Sequence, residues 1–81
     1  MNSSTEKRLM EILTKVLLLD ESEVNDELSR DEVEEWDSLA HLMLINEVES
    51  TFQVTLSDED IMSIRTIRDL KRALKKLGVN I

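Results

Sequence analysis

The chain has 81 residues, no Cys, no Pro and a single Gly, and its 10 Lys and Arg face 18 Asp and Glu for a formal charge of −8. That length predicts one domain over residues 1–81, and a chain with no Cys and one His excludes both a disulfide staple and a Cys/His zinc knot. The negative balance disfavours nucleic acid and anionic lipid, which are bound chiefly through cations. Residues 1–6, Met-Asn-Ser-Ser-Thr-Glu, lack the charged-then-apolar order of a secretory signal. No apolar run approaches the roughly 20 residues of a membrane-spanning helix. A monomeric cytoplasmic protein without membrane insertion is expected.

Ser3 and Glu6 have capping-box spacing, and Leu9, Ile12, Leu13, Val16 and Leu17 then recur in helical steps, predicting a first helix from about Ser4 to Leu18. Between residues 20 and 37 the pattern dissolves into ten acids and one base, Arg30. Val24, Leu28, Val33 and Trp36 are spaced like pins that tie a long loop to a core. Asp37 or Ser38 can cap a second helix, because a short side-chain oxygen satisfies an orphan amide. Its apolar stripe reads as Leu39, Leu42, Ile45, Val48 and Phe52, with Met43 and Leu44 widening the arc. Leu39 is expected to anchor the turn in the core and leave the Ser38 hydroxyl outside. After an extended connector, Gln53-Val54-Thr55-Leu56, the acids of Ser57-Asp58-Glu59-Asp60 suit the positive end of a short third helix. Thr66 and Asp69 open a fourth, with Ile67, Leu70, Ala73, Leu74 and Leu77 on one side and Gly78 at its C-terminal stop. The prediction is all-α: a four-helix bundle of three longer helices and one short third helix, with a long loop between helices 1 and 2.

Catalytic constellations are poorly served. Ser38, His41 and Asp37 could be written as a triad, but a histidine one turn into a helix is expected to be exposed, and nothing supplies an oxyanion hole. The lone glycine excludes a Gly-rich phosphate loop. The acidic stretches lack EF-hand spacing and its turn glycine, so no dedicated metal site is expected. These residues predict no enzyme. An acidic helical adaptor without a covalent cofactor, docking through Met43, Leu44 and the wide apolar arc, is one reading of what remains.

Asp37-Ser38-Leu39, Phe52 at the end of helix 2, the 54–60 segment leading into helix 3 and the Arg65-Thr66-Ile67-Arg68-Asp69-Leu70 start of helix 4 give a second reading. With these elements the sequence resembles the acyl carrier proteins, over nearly its whole length. The resemblance implies a non-catalytic carrier. Ser38, flanked by Asp37 and Leu39, would bear 4′-phosphopantetheine, derived from coenzyme A, and its thiol would shuttle acyl groups as thioesters in a fatty-acid, lipid or polyketide-type pathway. A peptidyl or aminoacyl carrier is the alternative within the family. The implied partners are a phosphopantetheinyl transferase, an acyl- or aminoacyl-loading ligase and downstream acyl-transfer enzymes, docking at Met43, Glu47 and Glu49. The acyl chain would fold back among Leu42, Ile45, Ile61 and Ile64. Glu35 stands where the family commonly has Gly, and the Trp36-Asp37-Ser38-Leu39 form is similar to carriers of specialised pathways.

Overall fold

Among the described residues four helices form, in the predicted order. The computed structural model describes residues 2–81, with side chains from Ser4 onward. Helix α1 spans Asn2–Leu17, α2 Ser38–Phe52, α3 Asp58–Ser63 and α4 Ile67–Lys76, with one 3₁₀ turn at Glu21–Glu23. Helix α1 starts before the predicted Ser4, and the Ser3 side chain of the expected Ser3–Glu6 capping pair lies outside the described ones. Leu9, Ile12, Leu13 and Leu17 of α1 are buried, and Val16 packs against the same core. The predicted last residue, Leu18, is instead the left-handed residue that stops the helix, at φ 56. The Leu19 amide then turns back to the Thr14 carbonyl at 3.2 Å.

In α2 the predicted stripe is kept at Ile45 and Val48 but displaced in its first turns. Ala40, His41, Leu44, Ile45 and Val48 face inward. Leu39, expected as an anchor, is 68% exposed, and Leu42 is 55% exposed. The helix carries apolar side chains on both sides, so two stripes compete. The small Ala40 allows close approach, and Trp36 gives the His41 side of α2 a partner. Burial of Trp36 and Val33 holds the chain at the helix start, the task assigned to Leu39 from sequence.

The acidic 20–37 segment is pinned as predicted. Val33 and Trp36 are buried, and Val24 and Leu28 pack against the core. It is also tied by backbone to the start of α4. The Ile67 amide donates to the Leu28 carbonyl (3.1 Å), the Arg68 amide to Asp26 (2.9 Å) and the Arg30 amide to Arg65 (2.9 Å). Ser29 and Thr66 form an isolated antiparallel bridge there. Two of the amides that every helix start leaves without a partner are thereby satisfied by the loop. Thr66 and Asp69 complete the end as a capping box. Lys71 donates to Asp26 at 2.8 Å and Arg68 pairs with Glu27 at 3.3 Å, so part of the loop's negative charge is neutralised within the chain.

Helix α4 buries Ile67, Leu70, Ala73 and Leu74. It ends at Gly78, φ 93, with the Gly78 amide on the Lys75 carbonyl and the Val79 amide on Leu74, both at 3.0 Å. That pair of bonds is the Schellman stop that a glycine in this position permits. No helix among the described residues is long and apolar enough to cross a membrane.

Candidate functional site

The beginning of α2 is built around Ser38. Asp37 caps the helix, its Oδ1 accepting from the Ala40 amide at 2.8 Å. The His41 amide donates to the Asp37 carbonyl at 2.9 Å, closing the first turn. Just upstream, the Trp36 amide donates to the Val33 carbonyl at 3.0 Å. Ser38 is therefore the first helical residue, on a backbone fixed at both sides, and it is exposed. Its hydroxyl has no hydrogen-bond partner among the described residues. The neighbouring Asp37 carboxylate is already committed to the cap, and the positive end of the α2 dipole lies beside it.

His41 is the largest departure from the sequence reading. Expected to be exposed, it is 4% exposed and is the buried polar side chain of the core. The Trp36 indole N–H donates to its Nδ1 at 3.0 Å, and its Nε2 lies 2.8 Å from the Ile61 carbonyl of α3. An indole nitrogen can only donate and a carbonyl can only accept. The ring must therefore be neutral with its proton on Nε2. Burial pushes the imidazole below its usual pKa, and the Arg30 and Arg65 cations lower it further, against the Ile61 carbonyl, which favours the proton. Both ring nitrogens are occupied, so His41 cannot act as base for Ser38, and the Asp37–Ser38–His41 triad is excluded by geometry. A sequence signal for this burial exists: His41, Ile45 and Val48 share the four- and three-residue steps of one helix face.

The other predicted residues fall into two groups. Ile45 and Ile64 lie in the core, and Ile61 packs against it. Leu42, predicted beside them, is on the outer side of α2 with Leu39 and Met43, half or more exposed. Of the predicted docking acids, Glu47 is paired with Lys15, and Glu49 accepts the Leu56 amide at 2.8 Å through Oε2. Glu49 therefore braces the α2–α3 connector. Met62 of α3 is exposed as well. Among the described residues no group of three His, Cys, Asp or Glu side chains is arranged to hold a metal ion.

A fixed helix start that presents an unpartnered serine hydroxyl suits a covalent anchor. The family model of the phosphopantetheine attachment site matches residues 7–74. The chain belongs to that family of carrier proteins. Its members bear covalently attached 4′-phosphopantetheine and have no catalytic activity of their own. The match runs from α1 to within α4, and it includes the 20–37 segment and the Ser38 turn.

Proposed function

We propose that Ser38 is the attachment residue and that this single-domain chain is a monomeric, cytoplasmic acyl carrier of a specialised fatty-acid, lipid or polyketide-type pathway. The observation that carries the reading is the Ser38 hydroxyl: exposed, without an internal partner, on the first residue of a capped helix inside the matched span. The residues fit the group. A phosphodiester on Ser38 would meet the helix N-terminus, which favours negative charge. The bound group supplies a thiol that carries the cargo as a thioester. The chain itself has no Cys, so no protein thiol competes for that cargo.

Its partners in this reading are a phosphopantetheinyl transferase, a loading ligase and downstream acyl-transfer enzymes. They dock on the outer face of α2. Leu39, Leu42 and Met43 make that face apolar, and Met62 adds to it from α3. Glu47 is available to a basic partner once Lys15 yields, since an exposed pair of this kind contributes only about 0–1 kcal/mol. Glu49 is committed to Leu56, so a charge reversal there would disturb the connector as well as docking. Ile45, Ile61 and Ile64 remain the residues that an acyl chain would meet if it entered between α2 and α3.

The test is intact mass after incubation with coenzyme A and an active, broad-range phosphopantetheinyl transferase. Wild type is expected to gain one phosphopantetheine and Ser38→Ala none. No gain by wild type, or a gain retained in Ser38→Ala, overturns the assignment.

A further inference from the structure

We propose that His41 is a positioning residue that latches α3 onto α2 beside the attachment serine, so that the resting carrier keeps its cargo outside the helices and serves short or polar acyl groups. This inference rests on Ser38 being the attachment residue. Ser38, His41 and Ile45 stand three and then four residues apart, along one side of α2. A chain tethered at Ser38 and heading for Ile45 and Ile64 has to pass His41. That side chain is not free to swing away, because Trp36 holds one ring nitrogen and the Ile61 carbonyl the other.

Helix α3 depends on this tie. It has six residues and none of them is buried. A helix so short is marginal by itself, and its place is set by tertiary contacts. Leu56 and Ile64 anchor the flanking chain. The His41–Ile61 bond is the one hydrogen bond from α3 to α2 among the described residues. Ile61 needs it, because the helix stops at Ser63 and the Arg65 amide, which would otherwise continue the ladder, donates to Asp69 at 3.1 Å.

An alkyl chain threading between α2 and α3 would separate Nε2–H from the Ile61 carbonyl and place methylene groups against both. Leaving a buried donor and acceptor unpaired is the costly outcome for a hydrogen bond. Apolar cargo can offer neither group a substitute. A short or polar acyl group has no reason to enter and stays on the arm, available to whichever enzyme docks.

Acetyl and octanoyl forms, loaded from the corresponding acyl-coenzyme A, separate the possibilities through the rate of thioester cleavage by hydroxylamine. In wild type the two thioesters are expected to react within about twofold of each other, since only the fraction outside reacts and both cargoes are outside. In His41→Leu the octanoyl form is expected to react about fivefold more slowly than the acetyl form, as the chain spends most of its time inside. His41→Gln, which keeps one acceptor and one donor, is expected to behave as wild type. A merely structural histidine would shift the stability of all forms without creating this dependence on chain length. Octanoyl protection in wild type, or none in His41→Leu, overturns the latch. Should His41→Leu fail to fold, the ring-nitrogen shifts of His41 in wild type decide. Shifts unchanged between holo and octanoyl forms support the latch, and a changed tautomer or lost bond overturns it. Failure of wild type to load sinks the Ser38 reading and the latch together, whereas loading followed by octanoyl protection sinks the latch alone.

Discussion

Helices α3 and α4 follow one another in the chain and are held by opposite means. Helix α4 buries four side chains, has its first amides capped by Thr66 and by loop carbonyls, and ends on a glycine stop. Its Lys71 donates to Asp26 and its Lys76 to Asp60, at 2.8 and 3.2 Å. Helix α3 has no fully buried side chain, only Ile61 resting against the core, and its tie to α2 is the His41–Ile61 bond. The difference teaches where this small domain keeps its stability and where it keeps its freedom to move. Elements with few buried apolar contacts open at low free energy, and those that move in function are drawn from them.

The sharpest way to break the comparison is truncation. Leu70, wholly buried in α4, should cost about 2–5 kcal/mol as Leu70→Ala, the usual range for a core leucine. Met62, 76% exposed on α3, should change stability by less than about 0.5 kcal/mol as Met62→Ala. Urea unfolding followed by circular dichroism measures both. Equal losses would mean that α3 contributes to the core as α4 does, contrary to its exposure.

The same contrast decides how much could be read from the sequence. Helix α4 was legible because every cue agrees: Thr66 and Asp69 at capping spacing, Ile67, Leu70, Ala73 and Leu74 in register, and Gly78 past the end. The Ser38 turn was legible too, since a short polar cap before an apolar run has a single local meaning. What failed was the facing of α2. Ile45 and Val48 are buried as predicted, but at the start of the helix Leu39 and Leu42 make as good a stripe as Ala40 and Leu44 when only hydrophobicity is counted. The choice between them depends on Trp36, whose indole N–H needs a buried acceptor. No local pattern states that a histidine will provide one. The loop's attachment to α4 was similarly hidden, because it runs through backbone groups of Asp26 and Leu28 that carry no side-chain signature.

Acid should separate the two helices in order. The folded His41 titrates below its ordinary value, about 6.5. As pH falls past 6.5 the unfolded chain takes up a proton that the folded protein, with the ring buried and the Arg30 and Arg65 cations nearby, resists. Stability from the neutral ring is therefore complete above about pH 6.5 and declines as pH falls towards the folded value. Asp26 is held below the ordinary carboxylate range chiefly by the Lys71 hydrogen bond, and Asp69 chiefly by the Arg65 amide. Their contribution is present above about pH 3.9 and is lost only below it. Hydrogen exchange between pH 7 and 5 is expected to speed up at α3 amides, after correction for intrinsic rates, before α4 amides respond. Melting of wild type should fall over that interval, while His41→Gln should stay flat. A wild-type melting temperature that does not change between pH 7 and 5 would show that His41 is not held in the neutral form by the fold.

The smallest effect concerns how the longer helices stop. Helix α4 ends with Gly78 in the left-handed region, but α1 and α2 turn through Leu18 at φ 56 and Gln53 at φ 57. In both, the next amide closes on a helix carbonyl at 3.2 Å, Leu19 on Thr14 and Val54 on Glu49, so the stop is the same and only the residue differs. A side chain in that conformation costs roughly 1–2 kcal/mol. Glycine removes that cost but forfeits about 0.5–1 kcal/mol of chain entropy relative to alanine. Leu18 is 75% exposed, so little apolar burial is lost with its side chain. Leu18→Gly should therefore stabilise the protein by about 0.5–1 kcal/mol. Gln53→Gly should gain less, because the Gln53 amide group donates to the Ser50 carbonyl at 2.9 Å and that bond disappears. Urea midpoints at unchanged slope measure both variants. A loss of stability in Leu18→Gly would show that the leucine side chain contributes more to the α1 stop than its exposure indicates.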